Sequence, residues 1–201
     1  MLRYLVDPAN AMTATGIVIS SAAVYAALLG HVELATAFGL WAMLADQFDG
    51  IIAKRTRHRP EDVGKIGKSL DGFSDIIYGA VLPTIILMTI ADYSIVTLVL
   101  GAALLLAGAL RLSYFSNFGL CGGAFTGLPL SYDLPIMAIL LLARPHIGDS
   151  AFTPLVLGLF GVLACFHVAP VRVPAPRGTM YVGITAFCLA ASITLIQRGL
   201  Q

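Results

Sequence analysis

Four aspartates stand in two close pairs, Asp46 with Asp49 and Asp71 with Asp75. On helices, residues three or four positions apart share a face, so each pair would present two carboxylates in one direction. Between the pairs lies the one strongly polar stretch of the chain, KRTRHRPEDVGKIGK at residues 54–68. A loop there lets two helix ends lie side by side, and the four acids then converge. An ionised aspartate costs about 2.5–3.5 kcal/mol at the centre of a membrane helix, and four like charges also repel. A divalent cation relieves both problems, and carboxylate-rich sites that meet phosphates commonly hold Mg²⁺ or Mn²⁺. Gly50 and Ala53 follow Asp49, and Gly64 and Gly67 precede Asp71. Glycine admits a ligand or a second backbone at close range, although small residues also serve ordinary helix packing in membranes. Lys54, Arg55 and Lys68 are placed to meet phosphate charge. The alternative is four helix-end aspartates, each solvated separately. Scattered interfacial acids do not usually form two same-face pairs around one basic loop.

The elements that position these acids follow from composition. Of the 201 residues, 58% are hydrophobic and 11% charged, against roughly 25% charged in soluble domains. Most of this surface therefore faces lipid, and one membrane domain spanning residues 1–201 is expected. A bilayer core needs about 20 apolar residues per helix. Seven runs approach that length, at about 12–30, 33–53, 69–91, 94–113, 127–143, 151–169 and 179–197. Pro135 and Pro154 soften the limits of the two short ones. The runs lack the alternation of a membrane barrel, so strands are not expected and helices satisfy the backbone. The fold class is all-α, a polytopic transmembrane bundle of about seven helices (six to eight). Asp7, Pro8 and Asn10 interrupt the N-terminus, which reads as a retained helix rather than a cleaved signal. Cys121, Cys165 and Cys188 have no paired spacing and read as core or lipid-facing residues.

Positive charge sets the orientation. With the N-terminus inside, Arg3, Lys54, Arg55, Arg57, Arg59, Lys65, Lys68, Arg111, Arg172 and Arg177 fall on the cytoplasmic side. Arg144 and Arg198 alone fall outside. The aspartates then lie at the cytoplasmic ends of helices two and three, and the C-terminus is extracytoplasmic. A formal net charge of +1 points to no nucleic-acid partner.

The aspartate region resembles the signature of the CDP-alcohol phosphotransferase family, D-x2-D-G-x2-A-R followed by G-x3-D-x3-D. Here it stands as Asp46, Asp49, Gly50, Ala53, Lys54, Gly67, Asp71 and Asp75. Lysine replaces the usual arginine at position 54, with Arg55 beside it, and the spacer before Gly67 is a few residues longer than usual. The resemblance covers most of the chain. PANAMT at residues 8–13 is similar to the family's entry to its first helix. LRLSYFSNFG at 110–119, FTGLP at 125–129 and PVRVPAPRG before the last helix resemble the phosphatidylserine synthase branch. Gly72, Ile77 and Tyr78 depart from that branch, and FHVAPVRV and FTGLPLSYD are also similar to bacterial phosphatidylcholine synthases.

This resemblance implies an enzyme of the bacterial-type inner membrane, its active site facing the cytoplasm. It implies transfer of the phosphatidyl group of CDP-diacylglycerol to a small alcohol, with loss of CMP. Asp46, Asp49 and Asp71 would hold a first Mg²⁺ or Mn²⁺. Asp46, Asp71 and Asp75 would hold or approach a second, and Asp75 would act as general base. Gly50, Ala53 and Gly67 would make room for the cytidine nucleotide. The family also implies a homodimer.

Serine is the first acceptor to consider, choline the second, and a phosphorylated alcohol such as inositol phosphate or glycerol phosphate the third. Serine carries a carboxylate and wants a fixed cation, for which Arg111 is the candidate. The alternative for Arg111 is a snorkelling side chain at the membrane boundary. Choline wants an aromatic cage, drawn from Trp41, Tyr78, Tyr114 and Tyr132. Asp133 could pair with the ammonium group of either. His31, His58, His146 and His167 are dispersed and read as interfacial or loop residues, and Pro83, Pro129 and Pro135 bend or start helices. An ion or solute transporter is the rival class, since intramembrane carboxylates often line ion pathways. Against it, the acids gather at one end, while LATAFGLWAML and YGAVLPTIILM are nearly all apolar.

Overall fold

A computed structural model describes residues 1–56, 58–176 and 178–200. Arg57 and Arg177, counted above among the cytoplasmic cations, lie outside the described residues. Among the described residues the chain forms seven long helices: α1 (Pro8–Leu28), α2 (Val32–Arg55), α3 (Glu61–Ile90), α4 (Ile95–Phe118), α5 (Asp133–Ile147), α6 (Asp149–Val168) and α7 (Thr179–Gly199). The all-α bundle expected from the apolar runs is what the chain adopts. On length and composition α1, α3, α4, α6 and α7 are suited to cross a membrane. Helix α2 is long enough but charged at its end, and α5 has only 15 residues, about 22 Å at 1.5 Å per residue.

Local signals explain the boundaries. Asp7 caps α1 by accepting the backbone N–H of Asn10 at 3.1 Å, and Pro8 fills the first helical position, where its missing N–H costs nothing. Helix α3 starts at Glu61, well before the apolar run that begins near residue 69. Glu61 and Asp62 occupy its first turn, where acids suit the helix dipole, so helix extends back through the polar stretch. Within α3, residues Ile77–Val81 form a wider π-helical turn, and regular helix resumes at Leu82 with Pro83 in its first turn. The run expected from 127 begins as helix only at Asp133. Before it, Ala124–Thr126 pairs antiparallel with Arg172–Pro174, Phe125 opposite Val173. This short ribbon corrects the expectation of no strands. It lies between helices, where hydrophobic periodicity carries no signal.

Helix α2 forms the centre. Leu40 packs into a fully buried cluster with Leu82 and Ile86 of α3, Leu134 and Met137 of α5, Phe152 and Phe160 of α6, and Leu195 of α7. A Cβ on Gly39 would lie 2.6 Å from Leu82 Cδ2 and 2.9 Å from Leu134 Cδ1, so a side chain there would force the buried Leu82 and Leu134 to shift. Polar ties also hold α7 to α2, with Trp41 Nε1 donating to Ser192 Oγ at 2.9 Å and Gln47 Nε2 to Thr185 Oγ1 at 3.0 Å. The outer surface is strongly apolar: Val18, Val99, Leu106, Val182 and Ile193 are more than half exposed, a belt suited to lipid.

The two ends of the bundle differ in charge. Arg59 pairs with Asp7 at 2.9 Å, Lys68 Nζ donates to the Ser116 carbonyl at 2.8 Å, and Arg172 lies in the ribbon. These mark the end that carries the aspartates. At the opposite end Arg144 pairs with Asp149, and Arg198 donates to the Leu142 carbonyl at 3.0 Å.

Filling the close approach at Gly39 should destabilise the bundle, while Gly158, which has no neighbour within 4 Å, should tolerate a side chain. Gly39→Val is expected to cost about 1–3 kcal/mol and Gly158→Ala almost nothing. Thermal unfolding in detergent checks this, and equal melting temperatures for the two variants would refute the packing account.

Candidate active site

The last turns of α2 carry Asp46 and Asp49, and the inner half of α3 carries Asp71 and Asp75. Asp49 is buried, and the other three are half-buried. Asp46, Asp49 and Asp71 each offer a carboxylate oxygen within 4.8 Å of the others. Asp75 stands outside that triplet but is joined to it by Tyr78. The Tyr78 hydroxyl reaches Asp75 Oδ1 at 2.6 Å and Asp46 Oδ2 at 3.0 Å, one hydroxyl proton between two carboxylates. Thr13 of α1 donates its hydroxyl to Asp49 Oδ2. Asp46 Oδ1 is buried and has no protein partner.

This donor set fits a hard divalent cation. The ligands are all oxygen, they are acidic, and a buried carboxylate oxygen is left for a partner that the protein does not supply. Two cations stand close to the acids: the Arg59 guanidinium packs over Gly67, one turn before Asp71, and Arg111 lies one turn past Gly108, which packs against Ile76 and Ala80 beside Asp75.

The remaining sequence candidates separate. Gly50 has nothing within 4 Å of where a Cβ would stand, so space is open there, and Ala53 is half-buried. Gly67 faces no open space: a Cβ there would meet Asn10 and would lie 2.6 Å from an Arg59 guanidinium nitrogen. Its missing side chain admits those groups. Lys54 and Arg55 are exposed, and Lys68 is tied to Ser116. Arg111 is buried, not snorkelling. Its guanidinium carbon lies 5.5 Å from the centre of the Phe115 ring and 5.2 Å from that of Phe125, and its Nε is buried without a partner.

Two expectations are corrected. Asp133 does not stand open to an ammonium group: its side chain is wholly buried, with Oδ2 3.1 Å from His167 Nε2. His167 is not an interfacial residue: both partners are wholly buried. Their separation of 34 residues leaves no local pattern to detect. Sequence reasoning also missed the cluster at the start of α1. Arg59 donates to Asp7 at 2.9 Å and to Asn10 Oδ1 at 2.6 Å, and Asn10 Nδ2 donates to the Tyr4 carbonyl at 2.9 Å. The available signal was the Asn10–Thr13 spacing inside PANAMT, which puts both polar side chains on one face.

A family model described as CDP-alcohol phosphatidyltransferase matches residues 7–197. The chain is also 34% identical over 111 residues to an archaetidylserine synthase of Methanothermobacter thermautotrophicus. That match covers 55% of this chain and 45% of the relative, so the chain spans about half the length of the curated relative it matches.

If the triplet holds a divalent ion, saturating Mn²⁺ should stabilise the protein. Binding at a hundred times Kd is worth about 2.7 kcal/mol. Asp46→Asn is expected to abolish the Mn²⁺-dependent rise in melting temperature, whereas Asp149→Asn at the opposite end keeps it. An undiminished rise in Asp46→Asn would refute the metal assignment.

Proposed function

We propose that this chain, which belongs to the CDP-alcohol phosphatidyltransferase family, is an integral membrane enzyme that transfers the phosphatidyl group of CDP-diacylglycerol to the hydroxyl of serine. The products are phosphatidylserine and CMP. The observation that carries this reading is the convergence of Asp46, Asp49 and Asp71, with Asp75 held beside them by Tyr78.

Two divalent ions, Mg²⁺ or Mn²⁺, held by Asp46, Asp49, Asp71 and Asp75 would screen the diphosphate and polarise the phosphorus under attack. Asp75 accepts the proton of the incoming hydroxyl while that oxygen bonds to the lipid-bearing phosphorus. The bond from phosphorus to the CMP oxygen breaks, and CMP leaves with the electron pair. Tyr78 orients Asp75 for this step from within the core. The open side at Gly50 and Ala53 receives the nucleotide, and the exposed Lys54 and Arg55 stand near its phosphates. Gly67 contributes by letting Asn10 and Arg59 close over α3.

Arg111 supports serine over choline. A buried guanidinium with a free Nε, acting on Asp75, suits an acceptor carboxylate. A choline cage would need aromatic faces free for its cation, and here the Phe115 and Phe125 faces already carry Arg111. Tyr78 is wholly buried with its hydroxyl on the carboxylates. The relative's name, archaetidylserine synthase, agrees with serine. The cations gathered at the aspartate end favour the cytoplasm on that side, hence the N-terminus inside, in an inner membrane of bacterial type. The whole chain acts as one domain, paired as a homodimer as the family resemblance implies.

Purified protein with CDP-diacylglycerol and Mg²⁺ or Mn²⁺, offered serine, choline, inositol phosphate and glycerol phosphate in turn, should release CMP fastest with serine. Incorporation of choline instead would overturn the acceptor assignment, and no CMP release with any alcohol would favour the transporter class. Asp75→Asn should lower kcat by about 10²–10⁴-fold while CDP-diacylglycerol still binds. Ordinary turnover by that variant would remove Asp75 from the base role.

A further inference from the structure

The buried pair His167 and Asp133 is joined to more than itself. His167 Nδ1 lies 2.9 Å from the Leu128 carbonyl, and Nε2 lies 3.1 Å from Asp133 Oδ2. A carbonyl can only accept, so Nδ1 carries a proton. A second proton lies between Nε2 and Asp133. The backbone closes the same joint: Leu128 N–H donates to the Phe166 carbonyl at 3.0 Å and Gly127 N–H to the Val171 carbonyl at 2.8 Å. Gly127, at φ +78, lies against the His167 carbonyl, where a Cβ would collide. The end of α6, the start of α5 and the intervening strand are therefore stitched at one point.

Two residues before Gly127, in the strand Ala124–Thr126, stands Phe125, whose ring faces the Arg111 guanidinium. Arg111 follows Gly108 by one turn of α4, and a Cβ on Gly108 would lie 3.2 Å from Ala80 Cβ and 3.4 Å from Ile76 Cδ1, the residue after Asp75 on α3. Packing alone does not call for such a pair. An apolar pair of similar volume is often as stable as a buried ionisable one, or more so. Polar capacity also remains on both sides of the strand, since Asp133 Oδ1 and Arg111 Nε are buried without partners.

We propose that His167 and Asp133 are positioning residues for the acceptor alcohol, holding Gly127 and Leu128 so that Phe125 and Arg111 form one wall of the acceptor pocket beside Asp75. This rests on the transferase reading above. The pair touches neither substrate. It fixes the strand that does.

The test uses the full chain in detergent with Mn²⁺, varying serine and CDP-diacylglycerol separately. His167→Ala and Asp133→Ala should raise the KM for serine about tenfold or more, with the KM for CDP-diacylglycerol within about twofold of wild type. Asp133→Asn should bring the serine KM back to within about threefold, because its amide donates to Nε2 while Nδ1 keeps its proton for Leu128. Phe125→Ala should reproduce the serine defect with the pair intact. It decides the matter if His167→Ala does not fold. An unchanged serine KM in either His167→Ala or Phe125→Ala would overturn the proposal, as would a parallel rise in both KM values. Wild-type protein that releases no CMP with any alcohol would overturn the transferase reading itself, and this role with it.

Discussion

Acidic side chains from two helices occupy one small volume, and almost everything at that end of the bundle serves to keep them there. Asp46, Asp49 and Asp71 bring oxygens within 4.8 Å, a distance at which like charges repel strongly once water is thinned out. Helices α2 and α3 cannot relax apart, because Gly39 and Leu82 lock them deeper in the core. The hydroxyls of Thr13 and Tyr78 supply the nearest donors, and Arg59 and Arg111 supply positive charge from opposite flanks. The acids remain in net excess of their neighbours, and that surplus of negative oxygen ligands is what suits the cluster to a divalent cation.

The flanks are built from different parts of the chain. On one side, the start of α1, the loop before α3 and Gly67 interlock through Asn10 and Arg59. On the other, α4, the ribbon and the end of α6 meet around Arg111 and His167. Asp75 stands nearest the second flank and Asp49 nearest the first. Two separately built walls thus meet at the acids.

What could be read in advance was local. The aspartate pairs announce themselves by helical spacing, and the apolar runs by length. Both describe residues a few positions apart. The start of α3 escaped hydropathy because its first turns are polar and satisfied by helix-dipole charge rather than by lipid. The ribbon escaped because three-residue strands have no periodicity to measure. His167 and Asp133 escaped because each is unremarkable alone, and only the fold makes them partners. Gly67 shows the subtler case: close approach was the right physics, but the group that approaches is the protein's own Arg59 and Asn10.

The wider turn at Ile77–Val81 lets α3 hold an extra residue without losing phase. A π turn holds one residue more than an α-helical turn, and each residue advances a helix by about 100°. The outer half of α3 presents Leu82 and Ile86 to the core, while the inner half presents Asp71 and Asp75 to α2. Held within the one wide turn, the extra residue adds no net rotation between these two faces. Loss of one residue there would restore ordinary winding and leave the two faces in the same relative phase, whereas loss of one residue from a regular turn would swing one half about the axis by roughly a quarter of a revolution. Either the core contacts or the acids would then face the wrong way. The two halves of the helix are therefore joined at a fixed angle of rotation, and the wide turn is where a residue can be lost from α3 without changing that angle.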